Sequence, residues 1–225
     1  KDWGRHGEAV ESLERAAALA PGASELHYNL GNGLLAAGRI VEAETSFRAA
    51  LLREPGHARA IVNLGTAQKE QGRLDEAIAT FRGAVAARPE DANAHWNLAL
   101  ALLMTGDWTQ GWREYEWRRR LPGFPVERLD GPEWDGAPLA GRTLLVHAEQ
   151  GLGDAIQFAL CARAIPRDCG RVVLRCQPRL ARLLSSAEGI DAVAPSDERL
   201  SDHDLQVPLM SVPGRLGEAA DSAPY

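Results

Sequence analysis

Several things are scarce or missing in this chain, and each absence narrows its function. No apolar run approaches the ~20 residues that a membrane span needs. The three cysteines, Cys161, Cys169 and Cys176, are odd in number and show no CxxC spacing. That pattern disfavours a disulfide framework or a thiolate metal site and fits reduced thiols, so a cytoplasmic location is expected. His6, His27, His57, His95, His147 and His203 are scattered and form no HExxH pair, so no metal is expected. Positive charge is not in excess: 25 Lys and Arg stand against 31 Asp and Glu, a formal charge of −6. This balance makes no case for nucleic acid or an anionic membrane, although a local patch can oppose the net sign. No initiator Met precedes Lys1 and no signal-peptide pattern follows it, which reads as a cloning or processing boundary. The 225 residues suffice for one large domain or two modest ones.

What is present is periodicity. Pro21, Pro55 and Pro89 recur at a spacing of 34, as do Leu30, Leu64 and Leu98, and Gly38, Gly72 and Gly106, with Gly4 one period earlier. Ala9, Ala43 and Ala77 follow the same interval, then Leu13, Phe47 and Phe81. This is the tetratricopeptide (TPR) pattern of helix pairs. Gly31 lets the second helix of its pair approach, Gly38 ends the first in a left-handed residue, and Pro55 stops the second. Helices are expected near 24–36, 40–52, 58–70, 74–86, 92–104 and 108–119, with a partial pair at the start. Residues 1–119 thus read as about three and a half repeats, and more are expected before Lys1.

Stacked helix pairs curve into a groove lined by their first helices. Asn29, Asn63 and Asn97 recur there, and an amide offers both donor and acceptor to a passing peptide backbone. Bonds within the array are the competing role. The fourth repeat departs from the pattern: Ala99 replaces the Gly, Gly111 replaces the Ala, and Trp108, Trp112 and Tyr115 form an aromatic stripe. Such a stripe reads as core or docking surface before it reads as a ligand site.

Residues 120–142 hold four prolines and four glycines and read as an ordered linker, with Phe124, Trp134 and Leu139 seeking burial. The period then changes. Strands are expected at Thr143–His147, Arg171–Cys176, Ile190–Ala194 and Leu205–Val207, and helices at Asp154–Ile165, Pro178–Ser186 and Met210–Leu216. Alternating strands and helices imply a parallel sheet with right-handed crossovers. Ligands bind beyond the strand carboxyl ends in such sheets, which points to Glu149, Gln150, Gly151, Gly153 and Asp154. Ile156 stands where a dinucleotide fingerprint needs its third glycine, and no GK[ST] follows. An acidic residue at the helix start opposes a phosphate there. Asp154 is left with two roles, a base or hydroxyl binder, or a helix cap.

The runs GDWTQGWREYEWR (106–118), PEWDGAPLAGRTLLVHAEQGLGDAIQF (132–158) and DLQVPLMSVP (204–213) resemble bacterial TPR-containing glycosyltransferases. The catalytic part of these is similar to the heptosyltransferases of glycosyltransferase family 9 and to O-GlcNAc transferases. The resemblance implies a GT-B fold, with residues 143–225 as its Rossmann-like, acceptor-side half, truncated before the half that holds the donor. It implies Asp154, after Gly153, as the catalytic base, with Gln150, Gly151, Gly153 and Gln157 binding substrate. It strengthens the reading of Asn29, Asn63 and Asn97 as a peptide-binding ladder. The implied function is transfer of a sugar from a nucleotide-sugar to a protein or glycan acceptor, with a peptide or protein partner in the groove. Residues 1–225 alone are then expected to be inactive and to need no cofactor, the nucleotide-sugar donor belonging to the full-length protein. A non-catalytic TPR scaffold is the alternative.

Overall fold

A computed structural model describes residues 3–124, 127, 129–198 and 202–217. The outer ends of the two expected domains, 1–2 and 218–225, lie outside the described residues. The chain divides into two compact units, Lys1–Leu121 and Pro122–Tyr225.

The first unit is helical: α1 (Trp3–Leu19), α2 (Ser24–Ala36), α3 (Ile40–Arg53), α4 (Ala58–Glu70), α5 (Leu74–Ala87), α6 (Ala92–Met104) and α7 (Trp108–Tyr115), followed by a 3-10 turn over Glu116–Arg120. Gly38, Gly72 and Gly106 adopt φ of 73°, 76° and 83°, a left-handed region that favours glycine, and each ends the first helix of a pair. Ala43, Phe47 and Ala50 are fully buried, as are Ala77 and Phe81 one repeat on.

The close approach at Gly31 is that of a side chain. A Cβ on Gly31 would lie 2.4 Å from the Phe47 ring, and one on Gly65 would lie 2.5 Å from the Phe81 ring. Each ring therefore seats on a bare backbone. The fourth repeat inverts the arrangement. Ala99 fills the glycine position, Tyr115 holds the ring position and lies 4.9 Å from Trp96, and Gly111 makes room for Leu103 instead. Trp112 and Tyr115 are buried in an edge-on pair with ring centroids 5.3 Å apart, so this part of the stripe is core. The last helix is shorter than the expected 108–119, because its final turn tightens to 3-10 geometry after Tyr115.

The second unit is built on strands β1 (Thr143–His147), β2 (Arg171–Cys176), β3 (Ala192–Pro195) and β4 (Leu205–Pro208). They form one parallel sheet in the order β3-β2-β1-β4. Leu144 pairs with Val172 on one side and with Leu205 on the other. Leu144, Leu145 and Val146 are buried, as befits a central strand covered on both faces. Helices α8 (Leu152–Ala159), α9 (Pro178–Leu184) and α10 (Val212–Leu216) complete the unit, with 3-10 turns at Leu160–Ala164 and Leu209–Ser211.

Several boundaries differ from expectation; α9 ends at Leu184 and α10 begins at Val212, each two residues inside the expected span. Helix α8 begins two residues earlier, at Leu152, and gives way to the 3-10 turn after Ala159. Strand β3 begins at Ala192 because the Asp191 carboxylate is occupied, accepting from Val172 N at 2.7 Å and pairing with Arg167. Part of the expected linker belongs to this unit. Trp134 N donates to the Gln206 carbonyl at 2.8 Å, Trp134 Nε1 donates to the Ala137 carbonyl at 2.7 Å, and both Trp134 and Leu139 are buried. Gly136 has φ of 101°, and a Cβ there would lie 2.4 Å from the Arg215 carbonyl oxygen, so this turn accepts only glycine.

Candidate functional site

In an open parallel sheet, the crevice for a ligand lies at the carboxyl ends of the strands where the strand order reverses. Here β1 leads on to β2 on one side and has β4 on the other, so the reversal falls between β1 and β4. The loop 148–151 leaves β1 at that point. His147 ends the strand, buried, with Nε2 at 3.2 Å from the Gln206 side-chain oxygen on β4. The Glu149 carboxylate reaches across and accepts from Met210 N at 3.5 Å. The Gln150 carbonyl accepts from Gln177 Nε2 at 2.8 Å, which ties the loop to the start of α9.

Gly151 is the N-cap of α8. Asp154 stands at the third helical position, and its Oδ2 accepts from Gly151 N at 3.2 Å. This is one arm of a capping box; glycine has no side chain to supply the other. The carboxylate thus occupies an amide that an anionic ligand would otherwise take. At about 100° per residue, Ala155, Phe158 and Ala159 face the sheet, as their burial shows. A right-handed crossover then turns Ile156 toward α9 and Asp154 toward β4, the side of the crevice. Consistent with this, α8 contacts both α9 and the Leu209–Ser211 turn after β4. Asp154 is half-exposed, and Gly151, Gly153 and Gln157 are exposed. The edge of the crevice therefore offers two carboxylates and exposed amide groups, which can accept a proton from a hydroxyl and orient a polar ligand.

The second candidate surface is the row of first helices. Helix α4 contacts both α2 and α6, so these three follow one another along the array. Asn29, Asn63 and Asn97 sit half-buried on them at equivalent positions. Asn63 Nδ2 donates to Asn32 Oδ1 at 2.6 Å across the repeat boundary. Asn97 Nδ2 donates to the Asn93 carbonyl in its own helix at 2.9 Å. Asn32 thus joins the ladder; because its counterparts are Thr66 and Leu100, repetition gives no sign of it. Beside the ladder, Glu25 accepts from Arg59 at 3.0 Å and lies 3.1 Å from His57 Nε2, while the Arg59 guanidinium sits 4.8 Å over the Tyr28 ring.

Comparison with known proteins defines the class of the first unit. Residues 4–61, 34–95 and 69–111 match the tetratricopeptide repeat family model, so this unit is a TPR array. FlbA of Caulobacter vibrioides is 40% identical over 63 residues, which span 27% of this chain and 11% of that protein. Among solved structures, a mutant O-GlcNAc transferase of Thermobaculum terrenum matches with a TM-score of 0.50 and 21% identity. That match covers 88% of this chain and 39% of the transferase chain. The structure of MamA matches at a TM-score of 0.48 and 22% identity over 52% of this chain and 68% of its own. No helix among the described residues is long and apolar enough to cross a membrane.

Proposed function

We propose that this chain is part of a longer glycosyltransferase, combining a TPR array that holds a peptide or protein with the Rossmann-like acceptor-side half of a GT-B fold. The observation that carries the reading is a parallel sheet in the order β3-β2-β1-β4 with the 149–154 loop at its reversal, on the same chain as the repeats. The O-GlcNAc transferase match, which extends over 88% of the chain, supports the fold of this reading. Asp154 is the candidate base. It takes the proton of an acceptor hydroxyl as that oxygen attacks the sugar carbon of a nucleotide-sugar and the nucleotide departs. Gln150, Gly151, Gly153 and Gln157 are the candidate acceptor contacts. Asn29, Asn63 and Asn97, joined by Asn32, are the candidate contacts to an extended peptide backbone.

Transfer is tested on the full-length gene product with a panel of nucleotide-sugars and peptide acceptors. Turnover that needs both the donor and an acceptor supports the proposal; absence of donor binding across the panel overturns it. The alternative is a TPR scaffold, favoured by the repeats themselves. It predicts partner capture by the array with no nucleotide-sugar binding. Changing Asn29, Asn63 and Asn97 together to Ala weakens peptide binding under either function. Undiminished affinity removes the ladder from both.

A further inference from the structure

Helix α8 carries three exposed aliphatic side chains at a spacing of four, Leu152, Ile156 and Leu160, which are 43%, 42% and 40% exposed. Leu160 opens the 3-10 turn that continues the helix. Helices α8 and α9 both cross between adjacent parallel strands, so they lie side by side on one face of the sheet, and they contact each other. Leu180 and Leu184 of α9 point into the core. The same handedness places Leu183, 54% exposed, on the flank of α9 that faces α8. The four side chains therefore form one aliphatic patch along the line where the helices meet. This is neither the crevice side of α8 nor the row of first helices in the repeats.

Arginines predominate along the edge of the patch, with the exposed Glu188 near Arg163 at one end. Arg179 and Arg182 are exposed on α9, and Arg163 is half-buried on the turn after α8. None of the three makes an ion pair with another described residue. The one carboxylate on these two helices, Asp154, is on the far flank and accepts from Gly151 N. In a chain with a formal charge of −6, an aliphatic centre edged by arginines is a local reversal. An apolar surface bordered by cations complements an anionic bilayer, with aliphatic groups entering the acyl boundary and guanidinium groups meeting the phosphates. Two short helices lying side by side present a broad surface suited to such shallow contact.

We infer that the outer face of α8 and α9 rests peripherally on anionic phospholipid membranes. Co-sedimentation of the 225-residue chain with phosphatidylcholine vesicles, with and without about one third phosphatidylglycerol, tests it. The chain should pellet with the anionic vesicles and stay in solution with the neutral ones, and high salt should release it. R179E together with R182E should lower the affinity on the order of tenfold or more. I156E together with L160E should abolish binding; both positions are exposed, and unchanged circular dichroism and melting confirm the fold. A wild-type chain that stays in solution with anionic vesicles overturns the inference. So does binding that neither pair of substitutions changes, and so does equal binding to neutral vesicles. A patch that instead captures an acidic amphipathic helix gives the first of these results.

Discussion

At the scale of single residues, stability rests on a few contacts that tolerate no extra atom and a few charges that need their partners. Gly65→Ala would place a methyl carbon 2.5 Å from the Phe81 ring. The repeat should lose about 1–3 kcal/mol, read as a lower urea midpoint; an unchanged midpoint would show that the ring moves freely. Glu44 is buried, which opposes its charge, yet hydrogen bonds from Gln71, Arg48 and Arg73 outweigh that cost and hold its carboxyl below the usual range. A carboxylate depressed in the folded state stabilises the fold above its unfolded pKa, and that contribution is lost as the pH falls through the folded value. Thermal melts on the acid side should therefore show wild-type stability falling below about pH 4. Glu44→Gln should cost about 1–3 kcal/mol at neutral pH and flatten the acid slope. Among the thiols, burial pushes Cys161 up to about 11 and also raises Cys176, whereas Cys169 is exposed. A thiol reagent at neutral pH should label Cys169 first, with mass spectrometry after a short pulse as the readout.

At the scale of elements, legibility followed how strongly a boundary is marked. The repeat helices could be placed because Gly38 and Pro55, and their counterparts a period apart, mark each boundary with a residue whose backbone geometry requires it. Strands β1 and β2 were equally plain, since short apolar runs ended at turn residues. Asp154 reads from sequence as the cap but lies three positions inside the helix. An acidic residue at the start of a helix looks like an N-cap, but Gly151 holds that place and Asp154 completes half a box from the third position. Glycine offers no side-chain signal there. The join of residues 132–134 to β4 was hidden for a different reason: an isolated bridge between Glu133 and Gln206 has no periodicity to read. Trp134 signals burial but not its partner. Asp154→Ala removes the capping arm and should lower stability by about 0.5–2 kcal/mol, whereas Asp154→Asn keeps an acceptor oxygen and should cost less. If calorimetry finds the two variants equally destabilised, the hydrogen bond to Gly151 N is not what the side chain contributes.

At the scale of the whole molecule, the two units pose different functional questions. The TPR array offers a row of amides with two members already engaged, Asn63 to Asn32 and Asn97 to the Asn93 carbonyl. A peptide must either exchange those bonds or use the groups' remaining capacity, so affinity in the groove should be modest and spread over several repeats. The parallel unit places its candidate site at one reversal of strand order, where Glu149 and Asp154 flank the start of α8. The fold of this unit was legible because alternating strands and helices admit few arrangements. Its proposed chemistry was not, because a cap and a base would use the same aspartate oxygen atoms.

The two roles separate in one experiment. Sugar transfer and melting temperature are measured together on the full-length protein and its Asp154→Asn variant. Transfer should be abolished by Asp154→Asn while the melting temperature stays within a degree or two of wild type. Retained transfer, or a loss of activity that tracks an equal loss of fold, would contradict the assignment of Asp154 as the base.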